Sequence, residues 1–329
     1  VQMKLLPTVR RQIGSGRCGL LLVIFQFLLH IEIGWTLSKV VIPAVYKEWV
    51  QNSPEWVTST EIQTRHNFTV FLYQKLDPSK PNYLAINRGS EGGVYLRYIV
   101  DHYETLPDVM VFVHAHPHDH QKNWLDYVGC IAPTANYINI NFTNLCRNTH
   151  YWKHVEVWVE QCFRDVLKIV WGLNHGTPEN ITAFHNLVPS SRPIAVCLSC
   201  CNQFIVSRDA IRRLPLTVWR QLLLVLGEQP ACRLEEPDYE NLFVYRNQPT
   251  EANKPGPEPA DLPQYNERKG EGFGRYTQGV TMEHLAHVIF GQYGLDMEYP
   301  EQPKICENFL HNSQCPGSPC HKDFTHKVG

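Results

Sequence analysis

The chain lacks a surplus of charge. Its 329 residues carry 30 Lys+Arg against 32 Asp+Glu, a formal net charge of −2. A polyanion binder ordinarily shows a basic excess or a basic stripe, so the balance argues against nucleic acid as a partner. It also lacks an uninterrupted apolar run of bilayer length. The most apolar stretch, Cys18 to Leu29, is broken by Gln26 and is shorter than the roughly 20 residues a spanning helix needs. No internal repeat is found, which argues against a solenoid or propeller. What is present is a core: 43% of residues are hydrophobic and 11% aromatic, which excludes disorder of the whole chain.

Arg10, Arg11 and Arg17 precede the apolar stretch, and continuing it to Trp35 takes in His30 and Glu32. A basic flank before an apolar segment is the plan of a secretory signal, yet no small-x-small cleavage site follows. A signal-anchor over residues 1–38 is the first expectation, with a cleaved signal or a buried helix as alternatives. Three Asn-x-Ser/Thr acceptors begin at Asn67, Asn141 and Asn180. Of the 11 Cys, setting aside Cys18 leaves an even ten, which suits an oxidising lumen. These features together point to the secretory pathway.

Downstream, Lys39 to Val45 reads as a buried strand, Phe68 to Gln74 as a second and Val109 to Val113 as a third. A helix is expected over Val94–Tyr103, and a longer one over Trp152–Trp171. Strand signals recur at Ile194–Leu198 and Gln203–Val206, with Ser207 as the cap of a helix carrying Ile211 and Leu214. Alternation of strands and helices predicts an α/β domain over residues 39–300, with a mostly parallel central sheet flanked by helices. Residues 247–275, rich in Pro, Glu, Asn and Gly, read as a mobile loop before a helix over Thr281–Gly291. Residues 301–329 form a Cys-rich tail.

Three constellations can carry chemistry. His114-Ala-His-Pro-His-Asp-His120 follows the third strand directly, and in open α/β sheets ligands bind beyond the carboxyl ends of the strands. Imidazoles at alternating positions can converge on a divalent metal, or bond a phosphate when protonated. Asn87-Arg-Gly-Ser-Glu-Gly92 opens a helix whose N–H groups can hold an anion, with Glu91 as a cap or a base. Glu283 and His287 stand one helical turn apart, as a metal pair or as a base with its orienter. Ordinary caps, core packing and solvated loops are the competing readings of each. Cys200-Cys201 reads as packing or a disulfide, since no base adjoins it. In the tail, Cys306, Cys315, Cys320 and His326 resemble a three-Cys, one-His zinc finger, with Lys304 and Phe309 suited to an RNA-binding version. The spacing before the His departs from that finger, and a lumenal setting favours disulfides.

Asn87-Arg-Gly-Ser-Glu-Gly-Gly-Val-Tyr-Leu-Arg-Tyr-Ile-Val100, then Leu106-Pro-Asp-Val-Met-Val-Phe-Val-His114, resembles the signature of the domain-of-unknown-function 3431 family. Cys200-Cys-Asn-Gln-Phe-Ile-Val-Ser-Arg208, Glu283 to Gly291, and Val40 to Glu48 with Trp56 are similar to further blocks, so the likeness runs over about residues 39–300. The family's layout resembles nucleotide-sugar-dependent glycosyltransferases of the A-type fold. That likeness implies a Golgi- or ER-lumenal enzyme moving a sugar from a nucleotide-sugar donor to a glycan or protein acceptor, held to the membrane through its N-terminal segment. It implies that the opening strand, with Tyr46, and the loop Asn87, Arg88, Gly89 hold the nucleotide. It makes Glu283, then Glu91, the catalytic carboxylate, and the 247–275 loop a cover that excludes water. Such enzymes place an Asp-x-Asp metal motif after a central strand, and this chain has no Asp-x-Asp at all. Either His114, His116, Asp119 and His287 hold a divalent Mn or Mg in its stead, or transfer needs no metal. A non-catalytic carbohydrate-binding or surface protein that keeps the fold, or a metal-dependent hydrolase, are the alternatives.

Overall fold

Strand β1 (Lys39–Ala44) carries Val40, Val41 and Ile42, and β3 (Val109–His114) is apolar throughout until its last residue. Such β-branched runs suit strands covered on both faces. In the computed structural model the two pair in parallel, from Lys39 opposite Val109 to Ala44 opposite His114. The structure describes residues 37–46, 48–49, 52–75, 77–85, 88–142, 144–148, 156–171, 194–199, 201–229, 232, 267–291 and 305–320. The chain divides into two compact units, Val1–Leu37 and Ser38–Gly329. Of the first, only Leu37 is among the described residues, so the segment expected as a signal-anchor lies outside them. Among the described residues no helix is long and apolar enough to cross a membrane.

The central sheet has the order β2-β1-β3-β7-β4. The short β2 (Thr69–Val70) is parallel to β1, whereas β7 (Phe204–Ser207) runs antiparallel to β3, and β4 (Tyr137–Asn139) antiparallel to β7. The sheet is therefore mixed, which corrects the expectation of a mostly parallel one. Strand β6 (Ala195–Ser199) pairs antiparallel with β5 (Asn144–Asn148) in a separate two-stranded sheet. The chain enters β7 straight from β6 through a tight turn.

Short helices α1 (Glu55–Thr58) and α2 (Thr60–Arg65) follow β1, and α4 (Trp124–Gly129) follows β3. Between them, α3 (Ser90–His102) starts four residues earlier than its apolar periodicity suggests, taking in Ser90 to Gly93. It buries Val94, Tyr95, Leu96, Tyr98 and Ile99. Helix α5 (Glu156–Val170) buries an ion pair, Arg164 to Glu160 at 2.8 Å, beside Phe163, Val166 and Leu167. Ser207 accepts from the Ala210 N–H, capping α6 (Arg208–Arg212) as the sequence suggested. Helix α7 (Leu216–Leu223) continues into a π-helical turn over Leu224–Glu228.

The last helix, α8 (Glu267–Gly291), begins well before the expected Thr281. Residues 267–275 are thus helical, a correction to the loop expected over 247–275; residues 247–266 lie outside the described set. The aromatic centre of the core is Phe112, Phe204 and Phe290, with Phe204 and Phe290 ring centroids 4.8 Å apart. Hydrophobic burial here is the main stabilising term of the fold.

Among the described residues, three disulfides join Cys130 to Cys315, Cys162 to Cys232 and Cys306 to Cys320. The tail is also hydrogen-bonded to the segment after α4: Ala132 N–H donates to the Asn308 carbonyl and Leu310 N–H to that of Cys130. Its cysteines are disulfide-bonded, as a lumenal setting favours, and so are not zinc thiolates. Asn67 is exposed, whereas Asn141 is buried and its side-chain oxygen accepts from Gln203. Asn180 lies outside the described residues.

Candidate active site

His114 ends β3 at the carboxyl edge of the parallel pair, beside Ala44 of β1. Its backbone N–H donates to the Gln203 side chain at 3.2 Å. A 3₁₀ turn over Pro117–Asp119 folds the following chain back. The ring that meets His114 is consequently His120, edge to face with centroids 5.1 Å apart. The alternating spacing suggested His116 as the partner. A turn between the two residues made His120 the one that returns.

Glu283 sits on α8, half-buried, and its carboxylate accepts the Cys201 backbone N–H at 2.7 Å. Two features aim that N–H. Cys201 and Asn202 both have left-handed backbones, φ 76° and 41°, and Cys201 is disulfide-bonded. Helix α8 is held against α3 by small residues: a Cβ at Gly92 would lie 2.6 Å from Met282, and one at Gly279 3.0 Å from the Ser90 hydroxyl. Close approach of the two helices brings Glu283 towards Glu91.

The electrostatics tie these groups together. Burial pushes the Glu283 carboxyl up, the Cys201 N–H bond draws it down, Glu91 raises it and His120 lowers it. Burial likewise lowers the His114 imidazole, against an upward pull from Glu91, and His120 lowers it further. The Tyr95 phenol, one turn along from Glu91, is pushed up by burial first and by Glu91 second. Glu91 thus acts on Glu283, His114 and Tyr95 alike. A half-buried carboxyl whose proton affinity is raised by burial, beside a second carboxylate and an imidazole, is equipment for general acid–base chemistry.

The other expected residues go elsewhere. His116 and Asp119 line a separate cavity of about 350 Å³ with Pro54, Trp56, Ile62 and Leu125. There Trp124 Nε1 donates to His118 Nδ1 at 3.3 Å, and Trp49 Nε1 to the Ala115 carbonyl at 3.2 Å. His287 is buried, 2% exposed, one turn along α8 from Glu283. Among the described residues, no three His, Cys, Asp or Glu side chains are arranged to hold a metal ion. The set His114, His116, Asp119 and His287 therefore does not fit a divalent cation, because the two exposed members face a different cavity.

The nucleotide-binding expectation is also redistributed. Tyr46 follows β1 and its N–H donates to Glu48 at 2.6 Å. Asn87 lies outside the described residues. Arg88 donates to the Glu228 carbonyl at 2.6 Å, and the Gly89 N–H to the Gln278 side chain at 3.2 Å. Gly89 has φ 71°, and a Cβ on it would lie 1.8 Å from the Leu226 carbonyl oxygen. This loop clamps α3 to the π-helical turn and to α8, and its Gly89 N–H is not available to an anion. Sequence reasoning named His120 within the His cluster without giving it a role, and did not single out Asn202 or Tyr95. The last two stood inside the resembling blocks, without a chemical signature of their own.

No curated protein and no solved structure matches the chain. A family described as a protein of unknown function, DUF3431, matches residues 40–239, and the sequence blocks around Glu91, His114 and Asn202 fall within that match. More than half of the chain is covered, and the chain belongs to the DUF3431 family.

Proposed function

We propose that this chain is a glycosyl-transferring enzyme of the secretory lumen, using a nucleotide-sugar donor and a hydroxyl of a glycan or protein acceptor. One observation carries the reading: Glu283, half-buried and bonded to the Cys201 N–H, shares its electrostatic environment with Glu91 and His120, and both of these also act on His114, in opposite directions. In this proposal Glu283 accepts the acceptor hydroxyl's proton as that oxygen bonds the anomeric carbon. The bond from that carbon to the diphosphate oxygen breaks, and its electron pair leaves with the diphosphate. His120, which is exposed, donates a hydrogen bond to the departing oxygen. Glu91 keeps the Glu283 proton affinity high. No step runs through a metal. The A-type glycosyltransferase fold, Golgi or ER residence and attachment through the N-terminal segment belong to the same proposal, supported by disulfides that suit an oxidising compartment.

The test is release of nucleoside diphosphate from a panel of nucleotide sugars by the full chain expressed through a secretory route. Wild type is expected to release it. Glu283→Gln, which keeps the shape and the bond from Cys201, is expected to lower the rate by about 10²- to 10⁴-fold. An absence of donor binding and hydrolysis, or an unchanged rate in Glu283→Gln, refutes the reading. The second reading is a non-catalytic saccharide binder. It draws on the engagement of Arg88 with the Glu228 carbonyl and of the Gly89 N–H with Gln278, which ties both into the fold. It predicts saccharide binding without turnover.

A further inference from the structure

The cavity beside the His cluster takes part in none of the steps proposed above. Its volume of about 350 Å³ lies near the small end of ligand pockets, which run from roughly 300 to 1,000 Å³. That is room for a small ligand, not for a whole nucleotide sugar. One side is apolar: the Trp56 indole of α1, Ile62 of α2, Leu125 of α4 and Pro54. The polar lining is Glu55 at the start of α1, with His116, His118 and Asp119 from the turn after β3. All four are exposed. Among the described residues, the side chains of Glu55, His116 and Asp119 make no hydrogen bond or ion pair within the protein. Their polar atoms can therefore meet a ligand without breaking an internal bond.

The cavity is built before anything binds. Trp56 is 4% exposed and packs edge to face on Trp49 at 5.5 Å and on Trp124 at 4.9 Å. The other two indoles tie down the turn that carries the polar side, Trp49 through the Ala115 carbonyl and Trp124 through His118 Nδ1. An indole nitrogen only donates, so Nδ1 is the accepting nitrogen and the His118 proton sits on Nε2, a donor for a ligand. A fixed wall and a fixed turn leave little to order on binding. The same turn reaches the acid–base site. Its ends, His114 and His120, face each other at 5.1 Å, and His120 acts on Glu283.

We infer that this cavity is a subsite for one pyranose unit of a glycan acceptor, next along the glycan from the unit that reacts. The lining selects the class. It has two carboxylates and neither Lys nor Arg, which disfavours an anion such as the donor's diphosphate. Four hydrogen-bonding side chains on two elements suit a ligand with hydroxyls spread along its edge. A carboxylate accepts from such a hydroxyl and an imidazole N–H donates to one. A lone ammonium would engage only one point of that rim. The indole and aliphatic wall suits the C–H face of the ring. These side chains bind; none performs chemistry. The inference rests on the proposed action of the chain on saccharides, and it narrows the acceptor to a glycan of two or more units.

The experiment titrates the full chain with lactose, cellobiose, mannobiose and N,N′-diacetylchitobiose, followed by tryptophan fluorescence and ligand-observed NMR. Glucuronate and cyclohexylmethylamine are the anionic and cationic controls. At least one disaccharide is expected to bind at least tenfold more tightly than either control. Asp119→Asn and Glu55→Gln are each expected to weaken it about tenfold, the order of a lost hydrogen bond to a charged group. Neither side chain is bonded within the protein, so the melting temperature is expected to stay unchanged in both. Absence of disaccharide binding, or an affinity that neither variant moves, overturns the proposal. Tighter binding of glucuronate or of the amine overturns it as well, and assigns the cavity to an anion or an organic cation. Disaccharide binding that depends on Asp119, without donor hydrolysis by wild type, keeps the saccharide cavity and removes the transferase reading. Donor hydrolysis that needs Glu283, without disaccharide binding, keeps the transferase reading and removes the subsite.

Discussion

Replacing Lys39 with Met tests how the sheet is anchored at the end away from the site. Lys39 opens β1, is 6% exposed, and donates through Nζ to the Val128 carbonyl at 2.8 Å and to that of Gly129 at 3.3 Å. Those carbonyls close helix α4, where a cation is favoured by the helix dipole. Burial nevertheless dominates and lowers the ammonium from 10.5 to about 8. A folded-state value below the unfolded one means stability that is fully present above pH 10.5 and lost as pH falls through 8. At about 1.4 kcal/mol per pH unit, the interval between 8 and 10.5 amounts to about 3 kcal/mol. The assay is urea unfolding followed by tryptophan fluorescence, with disulfides intact, for wild type and Lys39→Met between pH 7 and 10. Buried tyrosines such as Tyr73 and Tyr98 are pushed up, so their effect has the opposite sign and enters only near pH 10. Both proteins share it, and it cancels in the difference. Wild type is expected to gain about 2.5 kcal/mol relative to the variant between pH 7 and 10, whichever is the more stable at pH 7. A difference that stays flat to within about 0.5 kcal/mol refutes the buried-ammonium account.

Loss of the Cys130–Cys315 disulfide, which closes a separation of 185 residues, is expected to cost up to about 5 kcal/mol in a Cys130→Ala, Cys315→Ala double variant, measured by denaturant unfolding. Expressed through a secretory pathway, the chain is expected to carry glycan at the exposed Asn67 and none at the buried Asn141, as peptide mass spectrometry would report. The raised Glu283 carboxyl contributes stability that is present below the unfolded value of 4.5 and lost as pH rises through the folded one. Glu283→Gln is therefore expected to flatten the fall in stability on going from pH 4.5 upward, in the same unfolding assay. Gly89→Ala meets the Leu226 carbonyl and a left-handed backbone, and is expected to lower stability by at least about 1 kcal/mol.

Elements driven by local pattern were legible in the sequence, and those decided by long-range pairing were not. β1 and β3 were readable because both faces of each strand are covered, which demands a run of apolar residues. The Ser207 cap was readable because the hydroxyl bonds an N–H three residues on. Strand direction was not, because alternation of elements does not say whether a strand returns parallel or antiparallel to its sheet neighbour. In the site, Glu283, Glu91 and His114 carried recognisable chemistry and are brought into one electrostatic neighbourhood. His116 and Asp119 carried equally recognisable chemistry and are turned away by a single 3₁₀ turn. Asn202 and Tyr95 had no signature, since what distinguishes them is burial without a partner.

The reversed direction of β7 is itself a condition for the site. In an antiparallel pair the amino end of one strand meets the carboxyl end of the other. Phe204 at the start of β7 therefore lies beside Phe112 near the end of β3, and Ser207 beside Val109 at its beginning. Were β7 parallel to β3, its carboxyl end, with Ser207 and the α6 cap, would stand next to His114. The Cys201–Asn202 turn would then lie at the Lys39 end of the sheet, across the molecule from Glu91. Because β7 is reversed, the turn that precedes it stands at the His114 end of the sheet and delivers the Cys201 N–H to Glu283. A purely parallel sheet would have offered loops at its carboxyl edge only through crossovers, each a dozen or more residues long. Here a turn of a few residues, stiffened by two left-handed backbones and a disulfide, supplies the same edge with less freedom to lose on binding.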